Sequence, residues 1–228
     1  MVEALVGVLL LLLTLGLAWD VGAATARSAS ALADRGESLA AARATGWILQ
    51  EELEGVTAGA DLDAPRRDSF SIRAFRGAAL VCGLPAPRDL VVRWSGVRAP
   101  DPTKDSVALL TPGGWIVRSL AARSSAPGAC PTRRGGREER WTLGADAPGA
   151  LLARFFERGS YHLADGVLRY RIGAGGRQPL TPVGLDSARS GLTTDPSGRV
   201  VLTVAARGSR RGMGGPGWTR VFSLPVGP

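Results

Sequence analysis

From Ala4 to Trp19 the chain is apolar at every position except Thr14 and two glycines, Gly7 and Gly16. Extended to Val21 or Ala24, this run reaches the roughly 20 residues needed to cross a hydrocarbon core. The pattern then changes. Ala24 to Val56 is rich in Ala, Arg, Glu and Leu, all good helix formers. Leu39, Ala42, Gly46, Leu49, Leu53 and Val56 step by three and four, which places them on one helical face. Arg35, Glu37, Arg43, Glu51 and Glu54 lie off that stripe, and no proline occurs before Pro65. The pattern predicts one long helix over about residues 2–56, roughly 80 Å long at 1.5 Å per residue. One small head cannot bury such a helix, which needs lipid and neighbouring subunits.

Asp61 to Asp68 is a polar break, and beyond it the period becomes that of strands. Phe70, Ile72 and Ala74 alternate with polar residues. Leu90–Trp94 and Val107–Leu110 are short apolar runs, and Gly113-Gly114 leads into Trp115–Leu120, so 107–120 reads as a hairpin. Glu139–Leu143 is a further strand. Gly159–Leu163 and Val167–Ile172 flank Asp165-Gly166, an Asp-Gly hairpin signal. Leu185–Thr194 and Arg199–Ala205 flank the turn Asp195-Pro196-Ser197-Gly198, and Trp218–Leu224 closes the set. Ser124–Arg137 and Arg207–Gly217 read as loops. Many strands with few intervening helices imply an antiparallel sheet. The expected class is α+β: a membrane segment over 1–23, an amphipathic stalk over 24–60 and a β-rich head over 61–228.

The formal charge is +8 and Lys104 is the only lysine, so arginine carries nearly all the cationic charge. With abundant Ala, Gly and Pro, that fits a GC-rich coding sequence; contact with anionic lipid, polysaccharide or nucleic acid is the competing reading. No nucleic-acid partner is expected, because the run Arg133, Arg134, Arg137, Arg140 lacks interleaved aromatics. Cys82 and Cys130 are the only cysteines and His162 the only histidine. Tetrahedral zinc needs about four ligands, so no Cys/His metal site is expected. Two distant cysteines beyond a membrane segment fit one disulfide in an oxidising compartment; two buried free thiols are the alternative.

Nothing points to catalysis or to a cofactor. Gly-x-Ser-x-Gly and the phosphate-binding Gly-rich fingerprints are absent. Gly173-Ala174-Gly175-Gly176 follows a strand and precedes Pro179, so it reads as a loop. His162 sits mid-strand, as structural or surface histidines do. Asp101 and Asp105, with Lys104 between them, read as a solvated loop. Glu3 stands apart: a carboxylate heading a leucine run must stay at the membrane interface or find a cation. A secretory signal peptide would start with a basic region, whereas this start is acidic, although Val21-Gly22-Ala23 is an acceptable cleavage site.

Val2-Glu3-Ala4-Leu5-Val6-Gly7-Val8-Leu9-Leu10 resembles the start of type IV pilins and type II secretion pseudopilins. Their precursors carry a short basic leader, then Gly and usually Phe-Thr-Leu-Val-Glu, then an apolar helix. Val2-Glu3 matches the Val-Glu of that motif, which puts Met1 inside it. The leader, its Gly and the Phe are missing, so a site for the prepilin peptidase is expected only upstream of Met1. As written, Arg27 and Arg35 flank the segment on its C-terminal side, an arrangement that would hold the head in the cytoplasm; a basic leader would reverse it. The stalk end Leu49-Gln50-Glu51-Glu52-Leu53 and the stretch Tyr161–Arg171 are similar to the J-type minor pseudopilins and PilW-like minor pilins.

The resemblance implies an assembly surface formed by Val2, Glu3, Leu5, Val6 and Leu9, with Glu3 pairing with the N-terminal amine of a neighbouring subunit. It implies other pilin or pseudopilin subunits and the inner membrane as partners, the prepilin peptidase too if a leader exists upstream, and a head in the periplasm. A signal-anchored periplasmic binding or adaptor domain, with Glu3 incidental, is the first alternative, and a secreted enzyme with an unrecognised active site is the second.

Overall fold

The structure is a computed structural model describing residues 2–57, 60–63, 65–131, 135–197, 199–208 and 216–224, with the side chains of 3–5 and 218 outside that description. One helix, α1 (Val2–Glu54), runs for 53 residues. It ends where Val56 N donates to Leu53 O and Arg154 donates to Gly55 O.

The strands are β1 (Ser69–Ala86), β2 (Asp89–Gly96), β3 (Asp105–Thr111), β4 (Gly114–Ser125), β5 (Arg137–Leu143), β6 (Leu152–Ala164), β7 (Val167–Ile172), β8 (Gln178–Pro179), β9 (Gly191–Thr194), β10 (Val200–Ala205) and β11 (Gly217–Phe222). Every pairing is antiparallel, as the sequence predicts. Pairing runs β1-β2-β5-β4-β3-β6 and returns from β6 to β1, so six strands close into a barrel. Closure leaves these strands no free edge there. The far halves of β1 and β6 continue past the barrel and, with β7 and β8, form an open sheet.

Two cores result. Trp94, Trp141 and Phe155 fill the barrel with Leu90, Val92, Leu109, Leu120 and Leu143. Phe155 meets both tryptophans edge-on, at ring-centroid distances of 5.7 and 5.9 Å, the geometry that aromatic quadrupoles favour. The second core lies between α1, the open sheet and the small sheet β9-β10-β11. There Leu49, Leu53 and Val56 meet Phe70, Ile72, Tyr161, Leu168, Leu192 and Leu202.

A single bulge serves both cores. The β1–β6 register slips between Phe75 and Gly77, leaving Arg76 as the extra residue. Before it the inward residues are Phe70, Ile72 and Ala74; after it Ala79 is inward. The bulge therefore moves the inward set from even to odd positions while the strand stays on one side of both cores. On β6 no slip is needed: Ala153, Phe155, Tyr161 and Leu163 are all inward.

The stripe read from sequence is the docked face of α1. Ala42, Gly46, Leu49, Leu53 and Val56 are buried and Leu39 is half-buried, but Ala41 and Thr45 are buried too. They widen the stripe because Gly184 lets the helix come close: a Cβ there would lie 2.8 Å from Ala41 Cβ and Ser38 Cα. The polar break is also less open than its composition suggests. Leu62 is buried and bridges Ile72, and Asp61 accepts from Thr57 N and pairs with Arg73 at 3.3 Å. Asp165 and Gly166 take φ of 54° and 73°, the left-handed pair that a tight hairpin demands.

Candidate functional site

The helix divides into two halves with opposite surroundings. From Ser38 onward it is built into the head, whereas residues 6–37 are exposed apart from half-buried Ala23. The projecting part, residues 2–37, is about 54 Å long at 1.5 Å per residue. Val2 is 75% exposed, Val6 50% and Leu9 59%. Leu10 to Leu13, Leu15, Leu17, Trp19 and Val21 are exposed as well. The side chains of Glu3 and Leu5 lie outside the described residues. An apolar run exposed on every side of its helix is a solvation mismatch in water, which lipid or partner helices remove.

Length and composition suffice for α1 to cross a membrane once, as a span or a signal anchor. The Thr14 hydroxyl donates to Leu11 O at 2.9 Å, so the one polar side chain of the leucine run has its partner inside its own helix. On the docked half, Trp47 faces away from the head and is 66% exposed.

A buried charge cluster ties the helix to the head at the seam between the two cores. Arg76, the bulge residue, donates to Glu52 of α1 at 2.7 Å, to Glu157 of β6 at 2.9 Å and to the Tyr170 hydroxyl of β7 at 3.3 Å. Tyr170 in turn donates to Glu157 at 3.0 Å. Arg98 grips Asp105 with two bonds of 2.6 Å and reaches Glu157 at 3.0 Å. Asp105 is therefore a buried anchor for its turn and not the solvated loop residue expected from its Pro-rich surroundings. Asp101 N also donates to it, at 2.7 Å.

Burial alone would lower the Arg76 pKa, but Glu52 and Glu157 outweigh it and hold the guanidinium above its ordinary value. Burial pushes both Tyr161 and Tyr170 up. For Glu157, burial acts upward, yet Arg76, Tyr170 and Arg98 together hold its pKa below the ordinary glutamate value. A carboxyl depressed in the folded state stabilises the fold above its ordinary pKa and stops doing so as pH falls through the folded value. Thermal unfolding of the head should therefore show Tm falling as pH drops below about 4.5. Glu157→Gln should flatten that acid slope; an unchanged slope would remove Glu157 as its source.

Cys82 of β1 and Cys130 of the β4–β5 loop form a disulfide with Cα atoms 5.4 Å apart. The same loop is held by Gly128 N donating to Glu138 at 2.6 Å. Of the basic run read from sequence, Arg133 and Arg134 lie outside the described residues. Arg137 sits 5.5 Å from the Trp94 ring centroid, and Arg140 is exposed. His162 shares a 2.9 Å hydrogen bond with Ser160. Among the described residues, no three His, Cys, Asp or Glu side chains converge as a metal site.

No protein-family model, curated protein or solved structure matches the chain. The structure brings Val2, Val6 and Leu9 onto one exposed helix and Cys82 to Cys130 in a bond. What the sequence reading missed is the Arg76–Glu157 cluster. Its signal is a charge inside an apolar strand: Arg76 follows Phe75, and Glu157 follows Phe155-Phe156. Such charges are buried only when paired.

Proposed function

We propose that the chain is a non-catalytic minor pilin or pseudopilin subunit, a single-pass inner-membrane protein with its head in the periplasm. The observation that carries this reading is the projecting apolar half of α1, whose described side chains from Val6 to Gly22 are all exposed and free to pack laterally. The Val2-Glu3 motif at its start, the antiparallel head docked on its second half and a disulfide suited to an oxidising compartment support it. Assembly then works by helix exchange: lipid around residues 2–21 is replaced by the helices of other pilin or pseudopilin subunits, and heads stack outside. In a low-dielectric bundle Glu3 pairs with a neighbour's N-terminal amine. Removing one member of such a pair costs roughly 3–5 kcal/mol.

The test is Glu3→Ala, expressed from the complete reading frame. The variant should reach the membrane with a folded, disulfide-bonded head and be missing from purified fibres or pseudopili. Incorporation at the wild-type level would overturn the reading and is what a signal-anchored binding or adaptor domain predicts. Prepilin peptidase is a partner of the same scheme if a leader precedes the Val2-Glu3 motif.

A further inference from the structure

We propose that the outer face of the β6–β7 sheet, around Arg158, Arg171 and Arg177, binds one tetrahedral oxyanion group, phosphate or sulfate, free or as an ester. The proposal concerns the head alone and does not rest on the assembly reading. Strand register places the residues. Ser71 of β1 lies opposite Ser160 of β6, and Ser160 lies opposite Arg171 of β7. One rung along, Ser69 faces His162, which faces Arg169. Arg158 is two residues from Ser160 on the same face, and Gly173 N donates to its carbonyl at 3.0 Å. Arg158 and Arg171 are thus diagonal neighbours, about 7–8 Å apart at Cα. Arg177 immediately precedes β8, which pairs with β7.

Charge on this face is unbalanced locally. Arg73 is matched by Asp61 and Arg169 by Asp165. Arg158, Arg171 and Arg177 have no carboxylate partner among the described residues. Asp68, at the edge, accepts from the Ser69 hydroxyl at 3.1 Å, and exposed Asp63 lies beyond Ser71. Arg171 is half-buried and its Nε has no hydrogen-bond partner. Like charges set side by side on a sheet destabilise it, and a partly desolvated guanidinium attracts an anion more strongly than one in open water. Three arginines carried by one patch of this sheet, next to Ser71 and Ser160, can bring forked donors to one small group. That footprint suits a single oxyanion group better than a polyanion, which needs a longer basic track.

His162 is a built-in reporter, being the only histidine. Burial holds its pKa down, Arg177 and Arg171 add to that, and Asp68 opposes them. An anion that neutralises the arginines should raise it. The full chain in neutral detergent is titrated with inorganic phosphate, then sulfate, while the His162 ring signals are followed by NMR across pH. The expected result is a saturable upward shift of the His162 pKa that sodium chloride at equal ionic strength does not produce. Arg171→Gln should weaken the half-saturation concentration about tenfold, and Arg171→Gln with Arg177→Gln should abolish it. Equal shifts in chloride, or saturation that persists in the double variant, would overturn the site. If that variant fails to fold, Arg158→Gln, on an exposed position, carries the same expectation of weakening. Vesicles of phosphatidylglycerol form a separate arm. A response to vesicles without one to free phosphate or sulfate would also overturn the proposal, because the face would then be reading a charged surface.

Discussion

Arg76→Ala should lower the stability of the head by about 3–5 kcal/mol, the range for stripping one partner from a buried ion pair. Among the described residues, Arg76 alone touches Glu52, Glu157 and Tyr170 together. Without it Glu157 keeps Arg98, but Glu52 loses its salt-bridge partner at a position largely shielded from water. The lost bonds also join α1 to β1, β6 and β7, so the helix end should loosen first. Arg76→Lys should fall between wild type and alanine, since one ammonium cannot fork to both carboxylates. The Arg88–Asp146 pair is the natural contrast. Both side chains are more than half exposed, and such pairs contribute about 0–1 kcal/mol. Urea unfolding followed by tryptophan fluorescence measures both Arg76 variants beside Arg88→Ala. A loss below about 1 kcal/mol for Arg76→Ala would mean that packing alone holds the seam.

Removing the disulfide, as Cys82→Ser with Cys130→Ser, should cost about 4 kcal/mol in the chain-entropy account. The bond closes a loop with a sequence separation of 48, and most of that loop is β2, β3 and β4 of the barrel. Cutting it frees the unfolded chain far more than it disturbs the folded one. The β4–β5 loop keeps Gly128 N on Glu138 and Ala126 N on Glu138 O, so the folded barrel should survive. Unfolding of wild type with and without reductant, beside the double serine variant, separates the covalent effect from the substitutions. Equal midpoints for oxidised and reduced protein would show that the loop is held without the bond.

Much of the architecture could be read from periodicity, because helices and strands repeat differently. The stripe through Leu49 and Leu53, the 107–120 hairpin and the Asp165-Gly166 turn are all found where the pattern puts them. Strand lengths were harder. β6 begins at Leu152, ahead of the alternation visible at Gly159, since Phe155 and Phe156 are both buried, one on each face. A strand covered on both sides loses its period of two. β1 hides its length differently, because the bulge at Arg76 reverses the alternation midway.

The sequence alone therefore determined the long helix, its apolar first half and the antiparallel class of the head. Each follows from local residue spacing, which any chain of this pattern would carry. The tertiary structure alone decided that six strands close into a barrel and that Arg76, Glu157 and Glu52 converge, and it settled the expected Cys82–Cys130 disulfide against two free thiols. It also placed Arg158 and Arg171 diagonally on one face. Those facts depend on strand order and register between residues far apart in the chain, and spacing along one strand cannot encode its partner. The exposed half of α1 belongs to both: its composition was legible from the start, and the structure adds that, among its described residues up to 37, only Ala23 is even half-buried.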